Sequence, residues 1–180
     1  MVYLVAYVIE GKAGMWHREL SEVISKKFNI WKIYKKIPPH ITLYRPFDII
    51  DITPVKMMLS QWTQEHAVPG TITISGFGRF SDQVVFVTTE VEPMVGEAVQ
   101  HLREQLTSLV SKEDFPNWHP HATLVRLVAP ETIGVIWEYI SKLERPSFIV
   151  PFDVITLFRS LGDNVWAVEE VFPLISNSRE

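Results

Sequence analysis

Residues 39–45 read PHITLYR and residues 120–126 read PHATLVR. Five of the seven letters agree in the same order, and the distance between the copies decides how the chain is organised. His40 and His121 are 121 − 40 = 81 residues apart, as are Thr42 and Thr123, Leu43 and Leu124, and Arg45 and Arg126. A fixed offset of this kind is the mark of a repeated structural unit.

The offset continues outside the heptapeptides. Ser81-Asp82-Gln83-Val84 aligns with Gly162-Asp163-Asn164-Val165, each leading into an apolar run, VVFV and VWAV. Turn residues followed by apolar residues predict a hairpin at the same place in each copy. Ahead of each heptapeptide, helical spacing places Trp16, Leu20, Val23, Ile24 and Phe28 on one face of residues 13–28. The same spacing places Val95, Ala98, Val99, Leu102, Leu106 and Leu109 on one face of residues 95–110. After each heptapeptide a second helix starts near a proline, Pro54 or Pro130, where the missing N–H costs nothing. The copies end in strand pairs, roughly 70–79 with 83–91 and 147–159 with 164–172, and residues 2–9 form an extra leading strand.

The order helix, strand, helix, hairpin is thus given twice, about residues 10–91 and 92–173, within a single bilobed domain spanning 1–180. Helices interleave with strands, yet the hairpins demand antiparallel pairing, so the class is α+β. Two such lobes related by a pseudo-twofold axis would bring equivalent strands face to face across a central cleft.

In an extended strand, residues two apart share a face. His40 and Thr42 therefore point one way and His121 and Thr123 likewise, while Ile41, Leu43, Ala122 and Leu124 point into the core. Duplication explains matched core residues but not a matched imidazole and hydroxyl. Imidazole titrates near pH ~6.5, so one of a facing pair can accept a proton while the other donates one. A phosphodiester between them could be cleaved by concerted acid–base catalysis without a metal. The threonine hydroxyls would hold its non-bridging oxygens.

Paired His-x-Thr motifs, each followed by Leu and a lobe's length apart, resemble the 2H phosphoesterase superfamily. Within it the chain is most similar to the LigT-like family, the 2′-5′ RNA ligases or RNA 2′,3′-cyclic phosphodiesterases. The resemblance implies a bilobed fold with antiparallel sheets lining a central cleft and helices outside. It also implies a phosphodiesterase needing no metal or other cofactor, acting on 2′,3′-cyclic phosphates of RNA ends or nucleotides. His40, Thr42, His121 and Thr123 would be catalytic, with His121 the base that activates water and His40 the acid that protonates the leaving ribose oxygen. The alternatives are ligation or cleavage of 2′-5′ linkages, or a catalytically weak module that binds nucleotide or RNA on the same fold.

Arg45 and Arg126 are harder to place. Strict alternation puts both opposite their histidines, whereas the resemblance implies that Arg126 reaches the phosphate; a bulge or strand exit would reconcile the two. The competing reading is an ion pair closing each lobe. Tyr44 and His119 complete the substrate-binding set. His119 with His121 forms an H-x-H that could bind zinc, with His40 as a third ligand. The paired threonines have no role in such a site, so His119 is placed at the rim and no metal is expected. His17, His66 and His101 sit on helices among polar neighbours and are expected at the surface.

Residues 26–40, KKFNIWKIYKKIPPH, interleave five Lys with Phe28, Trp31 and Tyr34. Lys with rings can guide an RNA end, but a loop with solvated Lys and buried rings is the simpler reading. The net charge of −4 argues against a partner of long duplex nucleic acid and leaves a small nucleotide or an RNA end. With no Cys, thiol chemistry is excluded. No apolar run is long enough to span a membrane, and the apolar start lacks a signal peptide's basic residues. A cytoplasmic monomer is the expectation.

Overall fold

The computed structural model describes residues 1–66, 70–110 and 117–174. The chain begins with β1 (Val2–Val8), α1 (Gly11–Lys27), β2 (His40–Asp48), α2 (Thr53–Glu65), β3 (Thr71–Phe80) and β4 (Val84–Val91). It continues with α3 (Pro93–Val110), β5 (His121–Arg126), α4 (Pro130–Ile140), β6 (Ser147–Pro151), β7 (Val154–Gly162) and β8 (Val165–Pro173). Pro54 and Pro130 stand in the first turn of α2 and α4. Asp163 and Asn164 both take positive φ, as a two-residue hairpin turn requires.

One expectation is corrected. Residues 147–159 are not a single strand but two, broken at Phe152-Asp153. Pro151 has no N–H to extend a ladder, and Phe152 is buried beside Tyr7, with ring centroids 5.7 Å apart. The chain thereby crosses from an edge strand, β6 on β3, to β7 on β1.

The strands form one eight-stranded sheet in the order β6-β3-β4-β5-β2-β1-β7-β8, with every pairing antiparallel. Its middle is nearly severed. β2 and β5 share a single register pair, Ile41 with Ala122, leaving four strands on either side. Those two residues are equivalent in the repeat (122 − 41 = 81), as a local twofold axis between antiparallel strands requires. Hairpin β3–β4, which follows the first heptapeptide, pairs with the strand of the second. Hairpin β7–β8 joins β1 beside the first, so each copy supplies strands to both sides of the seam.

One sheet face carries the main core. Ile41, Leu43, Ala122 and Leu124, all fully buried, pack with Leu59 and Trp62 of α2, Leu102 and Leu106 of α3, and Ile136 and Ile140 of α4. Each such Leu or Ile contributes about 1.5–3 kcal/mol on burial. The ion pairs from Lys56 and Arg159 to Glu169, at 2.7 and 3.0 Å, are partly solvated; such pairs are worth about 0–1 kcal/mol each. Apolar burial therefore decides the stability. On the other sheet face Leu4, Ala6 and Phe158 are covered by Ile33, the first residue of a short 3-10 turn at Ile33–Lys35, and by Ile37 just after it. That cover stops at His40. Among the described residues, no helix is long and apolar enough to cross a membrane.

Helix α1 packs its expected residues Trp16, Leu20, Ile24 and Phe28 against the core, but its buried strip is rotated from the expected one. Val23 is exposed, and the buried positions are Ala13, Gly14, His17, Ser21, Ile24 and Ser25. The helix enters this position through Gly14, where a Cβ would collide with the backbone carbonyl of Ile9. Gly14→Ala should therefore lower the urea midpoint, although helix propensity alone predicts a gain of about 1 kcal/mol; a higher midpoint would contradict this packing.

Candidate active site

The register explains where the arginines go. Val5 faces Tyr44 while the next residue, Ala6, faces Thr42, so Leu43 is an extra residue in β2. Val85 faces Val125 while Phe86 faces Thr123, so Leu124 is an extra residue in β5. Each heptapeptide thus carries a β-bulge at its Leu. Two successive side chains, Leu43 with Tyr44 and Leu124 with Val125, are buried in the core. Alternation resumes one step out of phase, and Arg45 and Arg126 return to the face of their histidines. From half-buried His40 to half-buried Arg45 the burial pattern is the same as from His121 to Arg126. The sequence sign was the apolar residue after Leu in both copies.

Antiparallel residues directly opposite share a face, so the Ile41–Ala122 pair sets His40, Thr42, His121 and Thr123 together on the side away from the core. His40 lies across from Thr123, and Thr42 across from His121. Each imidazole is held the same way. His40 Nδ1 donates to the carbonyl of Pro38 at 2.9 Å, and His121 Nδ1 donates to the carbonyl of His119 at 2.7 Å. A carbonyl can only accept, so each neutral ring carries its proton on Nδ1 and presents the Nε2 lone pair to the groove.

Both rings have apolar walls. His121 meets Phe80 edge to face at 4.8 Å and Phe86 at 5.0 Å, and His40 lies 6.2 Å from Phe158. Burial is the main cause that pushes His40 down to about 4, and the charge of Arg126 and neighbouring His121 press the same way against the Pro38 carbonyl. His121 is lowered chiefly by burial. The Arg126 guanidinium sits 5.5 Å over the Trp31 ring and is itself lowered by burial. Two bases, two hydroxyls and two guanidiniums on one face form a set suited to a phosphoryl anion.

Other expected residues fall elsewhere. Tyr44 does not line the groove: the bulge turns it into the core, where its hydroxyl meets Thr107 Oγ1 of α3 at 3.2 Å. His119 is exposed at the rim, its ring centroid 6.2 Å from that of His121. Among the described residues, no three His, Cys, Asp or Glu side chains gather as metal ligands would. His17 is buried at 5% exposure, against expectation. His66 and His101 are half-buried, their rings 4.7 Å apart between α2 and α3. In the Lys-rich stretch, Trp31 lies under Arg126, Ile33 and Ile37 are buried, and Lys26 pairs with Glu22 at 2.7 Å. Sequence reasoning missed Phe80 and Trp118. The indole Nε1 of Trp118 donates to the Thr42 carbonyl at 2.9 Å, and nothing in the repeat pointed to it.

The family model described as "2'-5' RNA ligase superfamily" matches residues 15–164. Two relatives bear the name "Putative phosphoesterase". The one from Geobacillus kaustophilus is 29% identical over 143 residues, covering 77% of this chain and 80% of its own. The one from Bacillus pumilus is 27% identical over 145 residues, covering 78% and 82%. In fold the chain is similar to TT0787 of Thermus thermophilus, with TM-score 0.65, 22% identity and coverage of 97% and 98%. It is also similar in fold to E. coli LigT complexed with 3'-AMP, with TM-score 0.60, 18% identity and coverage of 96% and 97%.

His17, like His40, is pushed down to about 4, with burial the largest cause. A depressed folded-state value means that the unfolded chain takes up the proton first, so stability holds above pH ~6.5 and is lost as pH falls toward 4. Between pH 7 and 5 the urea-derived stability should fall by about 2 kcal/mol for each such histidine. His17→Gln should remove its share, and an unchanged pH slope in that variant would refute this account.

Proposed function

The chain belongs to the 2′-5′ RNA ligase superfamily of 2H phosphoesterases, and from that premise we propose that it hydrolyses 2′,3′-cyclic phosphates of RNA ends or nucleotides to 2′-phosphates. One observation carries the reading. Two imidazoles, each anchored through Nδ1 to a carbonyl two residues upstream, face one groove with a threonine and an arginine beside each.

In the proposed reaction the Nε2 of one histidine takes a proton from water as its oxygen attacks phosphorus. The bond from phosphorus to the ribose 3′ oxygen breaks, and the other histidine gives its proton to that oxygen. Thr42 and Thr123 hydrogen-bond the non-bridging oxygens, and Arg126, with Arg45 from the opposite strand, balances their charge. No step calls for a metal. His121 is the base and His40 the acid. That assignment requires the bound anion to lift His40 from its low value in the free protein, because a nearby negative charge favours imidazolium. E. coli LigT has been crystallised with 3'-AMP and with NADP+, which supports a nucleotide-sized ligand here.

Turnover of 2′,3′-cyclic nucleotides in EDTA tests the reading, and no product would sink it. His40→Ala and His121→Ala should each cost about 10²–10⁴-fold in kcat with the fold retained. Thr42→Ala and Thr123→Ala should cost nearer tenfold, the loss of about one hydrogen bond. An NMR titration with 2′-AMP bound should show His40 titrating higher than in the free protein. If His121 alone rises, the two roles are exchanged. The family's description favours a second reading, in which 2′-5′ linkages are cleaved or joined at the same groove, and analysis of products from 2′-5′ dinucleotides separates it.

A further inference from the structure

Beside its apolar face, helix α1 turns a polar ridge toward the sheet. His17, Ser21 and Ser25 recur every fourth residue on one strip and are 5%, 1% and 1% exposed. An enclosed polar group without a partner costs about 1–3 kcal/mol, so three in a row is a poor way to fill a core. The partners of the two serines are backbone carbonyls. Ser21 Oγ donates to the carbonyl of Leu124 at 3.2 Å, and Ser25 Oγ donates to that of Trp31 at 3.4 Å. The His17 ring rests against the backbone of Ala122 and Thr123 and beside His40, although neither ring nitrogen makes a well-aligned hydrogen bond with protein.

The seam explains the need. β5 meets β2 at one register pair only, so the facing strand edges carry backbone groups that the ladder leaves unserved. Trp118 serves Thr42 at one end. At the other, a small cavity is bounded by His17, Ser21, Ile37, Pro38, His40 and Thr123. It is narrow, with about 10 Å³ of free volume. The His17 ring thus borders both motif strands at once, since His40 belongs to β2 and Thr123 to β5. The charged and titratable groups nearest this space are His40, Arg18 and Tyr34.

From this arrangement we infer that α1 acts as a substitute strand for the seam edge of β5, and that His17 is a positioning residue, with Ser21 supporting it, that fixes His40 relative to Thr123. The inference rests on the reading of His40 and Thr123 as members of the reacting set. His17 itself touches no substrate. It acts through the backbone of Ala122 and Thr123, which keeps the Nε2 of His40 and the hydroxyl of Thr123 aimed at one phosphate.

The test compares His17→Gln, which keeps an N–H donor, with His17→Met, which has similar length and none. With 2′,3′-cyclic AMP as substrate, His17→Met should lower kcat about 10²-fold and leave KM within about threefold, while His17→Gln should stay within about fivefold of the starting kcat. Nitrogen-15 spectra should show the His40 ring titrating differently in His17→Met and unchanged in His17→Gln. Equal turnover in the two variants, or a His40 titration that His17→Met leaves in place, overturns the inference. If the unsubstituted protein yields no product, the phosphoesterase reading fails, and the spectra alone decide the role of His17. Should His17→Met fail to fold, Ser21→Ala takes its place under the same criteria.

Discussion

Everything in the groove depends on how little β2 and β5 share. A full ladder between them would close the sheet and leave no gap for a helix to serve. With one register pair, Ile41 to Ala122, the two halves remain joined by backbone yet each retains a partly free edge. Backbone groups on those edges must still find partners. Trp118 and Ser21 supply two of them from outside the strands. The register pair also sets the make-up of the groove, because it joins positions 81 residues apart and so places both His-x-Thr faces on one side.

The bulges at Leu43 and Leu124 are the second consequence of the repeat. A regular strand would bury Arg45 and Arg126 among Leu59, Leu102 and Ile136, and an unpaired guanidinium there would cost far more than a bulge. By inserting one residue, each strand buries two apolar side chains in succession and returns its arginine to the polar face. The groove that results has apolar walls, Phe80, Phe86 and Phe158, around titratable centres. Those walls hold the free imidazoles neutral and make them respond strongly to an anion, since charge–charge interactions grow as water is excluded.

Much of this is legible in the sequence. The offset of 81 marked the repeat, period-two spacing put each His and Thr on one face, and Pro54 and Pro130 marked where helices begin. The bulge was foreshadowed by the mismatch between strict alternation and the position of each Arg. Other features were hidden for definite reasons. The buried ridge of His17, Ser21 and Ser25 looks like a solvent face, because one sequence cannot show that Ser21 meets a carbonyl more than a hundred residues away or that His17 rests on the backbone of β5. The break at Phe152 looks like a continuous strand, because apolar residues run on through both sides while the strands they join differ. Tyr44 looks like a groove residue until the extra Leu is counted against β1.

The sequence by itself determined the repeat, the α+β class, the family and the identities of the paired histidines and threonines, because these follow from local spacing and residue chemistry. Tertiary structure alone decided that the copies exchange hairpins across the seam, that the seam is one residue pair wide, and that a helix serves its open edge. Those outcomes depend on which backbone groups are left without partners after the strands pair. That remainder belongs to the assembled sheet and to no segment of it.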